Sequence, residues 1–404
     1  AATLAGEGGG PATAALWGRR HGAAVRDAAL VNGCAAHAHA LDDTNESMRG
    51  HPSAPVVPAV LAVGEAIGAD GGALLAAYAV GVEVAAKLGR TVNDRHSQLG
   101  WHTTCTLGAV GAAAACANLL RLDARRTAHA LGIAASTAGG LRVNFGTMTK
   151  ALHAGLAAQH GVLAAQLAQA GVTASETALE GREGFLALFG GAAAQPERGL
   201  AALAAPFELA QPGIVYKLYP TCSLMHALVD LALEARSRGL PPLERIDTIR
   251  CGISRRLEAA RAAAWPASGL QAKFHVQYCV AVALLAGTQD PRDFEDAALA
   301  RPGVRELAER IEIRVGADFP EGNGDFAELL LASGGEVLCH ARRDKPVGHP
   351  SRPLSPAALR AKFMDHAVPV LGARQAEALH AALVRLGPDG ADARSLGALL
   401  VPAG

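Results

Sequence analysis

Residues 32–44 of this chain read NGCAAHAHALDDT, and His51-Pro52-Ser53 follows a few residues later. The stretch places histidines and two adjacent aspartates between alanine-rich runs that have the composition of buried helices. Asp42 and Asp43 can bond free backbone N–H groups, so a polar turn that caps a helix is one interpretation. Polar chemistry crowded into a segment that should be core is also typical of a functional site.

Helical periodicity surrounds this stretch. Apolar residues recur at three- and four-residue spacing in 54–68 and 72–89, which predicts an antiparallel helix pair joined by a glycine-rich turn. Further helices are predicted at 105–120, 124–138, 150–170, 357–363 and 374–386. Because these runs are rich in alanine and glycine, we expect close helix packing.

The pattern changes after Glu244. Apolar and polar residues alternate, as in strands, at 245–253, 311–315, 329–331 and 337–341. Predicted helices interrupt them, at 273–287, 293–299 and 303–309. We therefore predict a mainly α protein, in which residues 1–215 and 354–404 form a large all-helical domain and 216–353 form a smaller α+β lid domain.

Composition excludes several classes of protein. The 404 residues include 37 basic and 37 acidic side chains, which argues against nucleic acid or an anionic membrane as the main partner. Seven cysteines are scattered singly, which indicates reduced thiols in the cytoplasm rather than disulfides or a zinc site. Apolar runs such as 107–116 are too short to span a bilayer.

Polar residues stand at the predicted starts of two helices. His102 precedes the helix at 105–120, where positive potential favours a neutral imidazole that can donate to an anion. The alternative is that a following threonine caps this helix and His102 is a half-exposed neighbour. Lys150 and His153 are three residues apart and share one helix face, although a lysine there is more often surface charge.

Two further candidates lie in the second half of the chain. His226 enters a helix shortly after Tyr219-Pro220, and Tyr278 follows Lys273-Phe274 at the head of an apolar helix. Cys222 has no motif partner to activate it, so packing is its better interpretation. By its sequence context alone, Tyr278 could equally be a buried aromatic residue with a satisfied hydroxyl.

Taken in order, these motifs resemble the MmgE/PrpD family, whose members include 2-methylcitrate dehydratase, cis-aconitate decarboxylase and iminodisuccinate epimerase. The matching elements are Asn-Gly with His, Asp-Asp-Thr and His-Pro-Ser; a histidine before a small-residue helix; Thr-Lys-x-x-His-x-Gly; aromatic-Pro before a histidine; and Lys-Phe-x-x-Gln-Tyr. Each is weak alone, but five in the same order, between Asn32 and Lys362, are specific. In the family similar segments follow two or more helices, so we expect the given chain to begin after those helices.

The resemblance implies site residues. It implies that His102, Lys150, His226 and Tyr278 are catalytic, with Lys150 holding a carboxylate. Substrate binding is implied for Asp42, Thr44, His51, His153 and Lys273. It also implies a homodimer. The sequence has no His-Glu-x-x-His, phosphate loop or dinucleotide fingerprint, so we expect no metal and no organic cofactor.

The function implied is a cofactor-free lyase or isomerase that creates carbanion character next to a carboxylate of a small di- or tricarboxylic acid. The preferred reaction is like that of 2-methylcitrate dehydratase. The alternatives are an epimerase of an aspartate-derived dicarboxylate, a cis-aconitate-type decarboxylase and a non-catalytic binding relative. Decarboxylase-like relatives have an aspartate four residues before the threonine of Asp-Asp-Thr. Ala40 occupies that position in this chain. Decarboxylation therefore ranks below dehydration and epimerisation, unless a shifted loop lets Asp42 take the place of that aspartate.

Overall fold

The computed structural model describes residues 13–201, 203–316 and 324–403. Helices dominate, which confirms the mainly α fold class. The helices of the first half are α1 (Val25–Ala38), α2 (Ser53–Ile67), α3 (Gly71–Gln98), α4 (Thr103–Leu119), α5 (Ala124–Ser136), α6 (Met148–Gln169), α7 (Phe185–Gly190) and α8 (Pro196–Leu200). The later helices are α9 (His226–Ser237), α10 (Arg255–Glu258), α11 (Gly269–Ala272), α12 (Val276–Ala286), α13 (Val304–Glu309), α14 (Pro356–Leu371), α15 (Ala373–Val384) and α16 (Ala393–Leu399).

Helix α4 lies at the centre of the helical part and packs against α2, α3, α5 and α6. All its residues except Asn118 are buried, as expected for a helix that is apolar on every face. Its small side chains let neighbouring backbones approach closely. A Cβ added at Gly111 would stand 2.7 Å from the carbonyl oxygen of Gly81 in α3, a distance that real Cβ contacts essentially never show.

Helix α3 is longer than predicted, because it continues past Gly89 to Gln98. Gly89 does not end the helix. It allows the chain at Ser47 and Met48 to approach, and a Cβ there would stand 2.7 Å from Cα of Met48. The glycine therefore marks close packing of α3 against the loop that carries the first motif.

Four strands of the second half, β5 (Thr248–Ile253), β6 (Ile311–Val315), β7 (Ala327–Ser333) and β8 (Glu336–Arg343), form one sheet. Their order in the sheet is β6-β5-β7-β8. β5 and β6 are parallel and the other pairs are antiparallel. All four lie where alternation predicts them, whereas the predicted helix at 293–299 is two 3-10 segments instead. Apolar residues of α9, α12, β5 and β7 share one core.

The two parts of the chain meet at a short antiparallel ribbon. β3 (Asp43–Thr44) pairs with β4 (Val215–Tyr216), so the first motif touches the segment that leads into the sheet region. After the sheet, Leu379 and Leu396 of the C-terminal helices join the apolar core of the first helices. This packing supports the predicted domain bounds 1–215, 216–353 and 354–404, which stay a prediction. A further ribbon, β1 (Ala14–Ala15) with β2 (Gly22–Ala23), precedes α1.

One helical stretch in the described part, Gly71–Val92, is long and apolar enough to cross a membrane by length and composition. Half of that stretch is buried. It packs against α4, α7 and α8.

Candidate active site

The first motif forms the end of α1 and the loop that leads to α2. Ala40 adopts a positive φ of 55°, which turns the chain after the helix. Asp43 then accepts hydrogen bonds from the backbone N–H and the hydroxyl of Ser53, the first residue of α2. This agrees with the capping interpretation of the sequence for Asp43. Asp42 has a different environment.

Asp42 lies at the centre of a group of histidines. Its Oδ2 is 2.7 Å from Nδ1 of His37 and 3.2 Å from Nδ1 of His51. Burial alone would raise the pKa of the Asp42 carboxyl, but its close contacts with His37 and His51 hold this pKa well below its usual range. Burial lowers the pKa of His37 to about 3, against the opposing effect of Asp42. An ionised carboxylate therefore lies beside a neutral imidazole.

Lys150 extends this group from the first turn of α6. Its Nζ is 2.5 Å from Nε2 of His37, on the side of the ring opposite Asp42. The ring of Phe145 covers the ammonium at 5.7 Å. Burial lowers the pKa of Lys150 to about 7, and Asp42 opposes this effect. A lysine with such a pKa can exchange its proton near neutral pH.

Two more histidines keep neutral rings in the same region. Nδ1 of His102 lies 3.0 Å from Nδ1 of His153, so one of these nitrogens donates and the other accepts. Burial holds the pKa of His102 well below its usual value, and it lowers the pKa of His153. His51 donates from Nδ1 to the carbonyl oxygen of Asp43 at 2.7 Å, which leaves its Nε2 as a base.

Three further lysines approach the same carboxylate. Lys273 donates to the carbonyl oxygen of Ala38 at 3.3 Å, and Lys362 donates to that of Leu41 at 2.8 Å. Burial lowers the pKa of each of Lys217, Lys273 and Lys362, and the charge of Asp42 opposes this effect. We call the site cluster the set His37, Asp42, His51, His102, Lys150, His153, Lys217, His226, Lys273 and Lys362.

Several buried polar atoms of this region have no hydrogen-bond partner among the described residues. They are Oδ1 of Asp42, Oγ1 of Thr221 and Nε2 of His226. Burial holds the pKa of His226 well below its usual value, and the charge of Lys217 adds to this effect. Because an unsatisfied buried polar group costs about 1–3 kcal/mol, these atoms require a partner such as water or a polar ligand.

The cluster contains most of the residues that the sequence singled out. His37, Lys217 and Lys362 were missed. Two of them could have been found from the sequence: His37 lies inside the first motif, and Lys217 lies in the segment that leads to His226. Thr44 lies beside the cluster in β3, where its backbone pairs with Val215. The catalytic and binding roles of these residues stay predictions.

Tyr278 is placed differently from the expectation that it lines the cleft. It is fully buried in the core of the sheet region, and its hydroxyl donates to the carbonyl oxygen of Asp293 at 2.5 Å. The rings of Trp265 and Phe294 pack around it. This is the buried aromatic with a satisfied hydroxyl that the sequence left as the alternative. The physical reason is that its helix, α12, is apolar on every face and turns Tyr278 into the core.

The ligand atoms of His37, Asp42 and His51 lie within 4.8 Å of one another, a spacing that one metal ion would accept. Two features of the surroundings disfavour a divalent cation. The neighbouring lysines repel it, and both ring nitrogens of His37 are already engaged with Asp42 and Lys150. The donor set fits hydrogen bonding to an anion better than it fits a metal.

Comparison with known proteins agrees with these observations. Residues 1–197 match the MmgE/PrpD N-terminal domain, and residues 219–386 match the MmgE/PrpD C-terminal domain. The chain is 31% identical to the cis-aconitate decarboxylase of Homo sapiens, over 87% of this chain and 74% of the human protein. It is 31% identical to the enzyme of Mus musculus, over 85% of this chain and 72% of the mouse protein. It is 30% identical to the enzyme of Aspergillus terreus, over 70% of this chain and 62% of the fungal protein. Decarboxylases are lyases, which agrees with the lyase or isomerase class predicted from the sequence. With both of its domains matched and these relatives aligned along most of its length, the chain belongs to the MmgE/PrpD family.

Proposed function

We propose that the protein is a cofactor-independent lyase that acts on a small tricarboxylic acid, with decarboxylation of a cis-aconitate-like acid as the leading reaction. One observation carries the proposal: four lysines, Lys150, Lys217, Lys273 and Lys362, interact electrostatically with the buried carboxylate of Asp42. Cations in excess of anions in a desolvated site favour a ligand that brings several negative charges. Nε2 of His226, which has no hydrogen-bond partner among the described residues, could contact the same kind of ligand.

The environment of Asp42 changes the order of the candidate reactions. Ala40 stands where decarboxylase-like relatives have an aspartate, and this had ranked decarboxylation below dehydration. The Asp42 carboxylate nevertheless lies beside His37 and His51, and this position supports the substitution by Asp42 that the sequence left open. The cis-aconitate decarboxylases among the relatives support the same order.

The chemistry of this reaction explains why a cationic site suits it. In such an acid, one carboxylate is attached to a carbon next to a C=C bond. When the bond to this carboxylate breaks, carbon dioxide leaves and the electron pair forms a new C=C bond. The displaced π pair takes up one proton at the far carbon, which lies beside a second carboxylate. Cations at that carboxylate stabilise the negative charge that develops.

The side chains can be assigned to these tasks. We assign carboxylate binding to Lys217, Lys273 and Lys362. Lys150 and His102 are the candidates for proton transfer, because a lysine with a pKa of about 7 can release a proton and a neutral imidazole can accept one from a neighbouring carbon or water. The reaction needs no metal and no organic cofactor in this assignment.

Dehydration of a 2-methylcitrate-like acid is the second candidate. Nε2 of His51 favours it, because Nδ1 carries the proton of that ring and loss of water requires a base for the proton beside the carboxylate. Epimerisation of an aspartate-derived dicarboxylate would begin with the same proton abstraction. Dehydration and epimerisation therefore share proton abstraction as their first step, whereas decarboxylation begins with the loss of carbon dioxide.

We further propose a cytoplasmic homodimer. All seven cysteines are free thiols, as expected in a reducing compartment. Large apolar side chains stand exposed beside the site, with Val143 83% and Met148 81% accessible, and a second copy of the chain would cover such a surface. Light scattering at micromolar concentration should give twice the chain mass, and a monomer mass would contradict the dimer.

The experiment for the function is an NMR assay with cis-aconitate, 2-methylcitrate and iminodisuccinate. Decarboxylation predicts carbon dioxide release and new signals of a terminal C=CH2 group, because the new double bond forms at the carbon that lost its carboxylate. Lys217→Met is the matched control, and it should bind these acids more weakly. Folded wild-type protein that turns over none of the three acids would contradict the proposal.

A further inference from the structure

Three side chains of the site cluster form a continuous hydrogen-bonded row. Nζ of Lys150 lies 2.5 Å from Nε2 of His37, and Nδ1 of His37 lies 2.7 Å from Oδ2 of Asp42. An ionised carboxylate can only accept, so His37 carries its proton on Nδ1. Nε2 then presents a lone pair, and Lys150 must be the donor in the other bond. Asp42 thus fixes the tautomer of His37, and His37 fixes the position of Lys150.

This arrangement distinguishes Lys150 from the other lysines of the cluster. Lys273 and Lys362 donate to backbone carbonyl oxygens, which position an ammonium group but do not titrate. Lys150 donates to an imidazole, and the face of Phe145 covers it from another side. Its ammonium group is held by a side chain that can share the proton, and it is shielded from water.

We propose that Lys150 delivers the proton to carbon in the reaction and that His37 is the positioning residue that aims it. This inference rests on the proposed decarboxylation. In the step, an Nζ–H bond of Lys150 breaks as a C–H bond forms with the π pair displaced by the departing carbon dioxide. Lys150 becomes a neutral amine and regains a proton from water before the next turnover. His37 keeps its Nδ1 proton throughout, held by Asp42.

The charges around Lys150 suit a proton donor. Burial lowers its pKa, Asp42 opposes this and Lys217 and Lys273 add to it, so that the pKa lies at about 7. A donor is most effective when its pKa lies near the working pH. The titratable groups that interact with Lys150, from the elements packed against it and from its own helix, include His37, Asp42, His51, His102, His153, Lys217, Cys222 and Lys273.

The first test separates proton donation from charge alone. Lys150→Arg keeps a positive charge, but a guanidinium is too basic to release a proton at neutral pH. We expect kcat to fall by about 10² or more while KM changes by less than about threefold. A variant that keeps kcat, or that changes KM alone, would overturn the assignment and leave Lys150 as a carboxylate-binding group.

The second test examines His37. In His37→Gln the amide oxygen can still accept from Lys150, whereas His37→Phe fills similar space without an acceptor. We expect His37→Gln to keep at least about tenfold more kcat than His37→Phe, the scale of one lost hydrogen bond to a charged group. Equal losses of kcat in the two variants would overturn the positioning role.

The third test needs no substrate, so it separates this inference from the proposed function. In protein labelled with 13C at lysine Cε, the Lys150 signal, assigned with Lys150→Arg, should titrate near pH 7. Asp42→Asn removes a charge that raises this pKa and should move the midpoint down, whereas Lys273→Met should move it up. A midpoint above pH 9 in the wild type, or shifts of the opposite sign in the two variants, would show that Lys150 is not the proton donor, even if the enzyme turns over substrate. Absence of turnover with a midpoint near 7 would count against the proposed function instead.

Discussion

Gly33 of α1 and Gly155 of α6 lie in direct contact, and a Cβ on Gly33 would stand 2.8 Å from Cα of Gly155. The contact brings two helix backbones as close as they can pack. His37 lies one turn after Gly33, and Lys150 lies between one and two turns before Gly155. The hydrogen bond between His37 and Lys150 therefore depends on two residues that have no side chain.

Gly155→Ala tests this dependence. A Cβ on Gly155 would meet the carbonyl oxygen of Leu30 and would stand 2.5 Å from Sγ of Cys34, so α1 must move. We expect a loss of roughly 1–3 kcal/mol in the free energy of unfolding, as for an overpacked core, together with reduced turnover. Gly387→Ala is the control, because its Cβ would meet nothing within 4 Å. Equal melting temperatures for the two variants would contradict the close contact.

The proposed catalytic groups can be tested by truncation. His102→Ala and Lys150→Ala should each lower kcat by about 10² or more, the scale of a lost acid–base or electrostatic group. Arg125→Ala serves as a surface control, since its side chain is 76% exposed. Steady-state kinetics on the acid found active by NMR would give the values. Near wild-type turnover in both variants would refute the assignment, whatever the fold.

Lys217 should act mainly in binding. It is fully buried yet lies near Asp42, and the proposed role is to hold a substrate carboxylate. Lys217→Met keeps the length of the side chain and removes its charge, so KM should rise by about tenfold or more, since a hydrogen bond between charged groups contributes about 1.5–3 kcal/mol. Calorimetric titration of the variant with the same acid should show the weaker binding directly. Unchanged affinity would contradict a contact with the ligand.

Tyr278→Phe distinguishes the core position from a catalytic one. Loss of the hydroxyl leaves the carbonyl oxygen of Asp293 without this donor, so the free energy of unfolding should fall by about 1–3 kcal/mol. Turnover at a temperature well below the melting transition should stay within about threefold of wild type, because the Tyr278 ring contacts core residues and not the substrate. A loss of 10² in kcat with intact stability would restore Tyr278 as a catalytic residue.

Asp43 should make stability depend on pH. Burial, with the neighbouring charge of Asp42, raises the pKa of this carboxyl from 3.8 to about 7. The folded state then binds a proton more tightly than the unfolded chain, so the stabilisation is complete below about pH 4 and is lost as the pH rises through 7. Asp43→Asn resembles the protonated form, and its melting temperature should fall less than that of the wild type between pH 5 and pH 8. Parallel pH profiles for the two proteins would contradict the raised pKa.

The sequence alone determined the class of fold and the region of the site. Apolar residues recur every three to four positions in the helices and every second position in the strands. These periods depend only on local backbone geometry, so they can be recognised without knowledge of tertiary contacts. The order of the motifs around His51, His102, Lys150 and His226 likewise indicated one family and one kind of substrate.

Only the tertiary structure decided which groups meet. Asp42 reaches the histidines because Ala40 turns the loop, and Lys217 and Lys362 converge on it from segments more than 170 residues away. Tyr278 follows a matching motif but points into a core. Spacing along a chain constrains neighbours within a helix or a strand, whereas contacts between distant segments depend on how whole elements pack. His37 shows this limit most clearly. The sequence puts it in the first motif, but only the contact of α1 with α6 makes it the partner of Lys150.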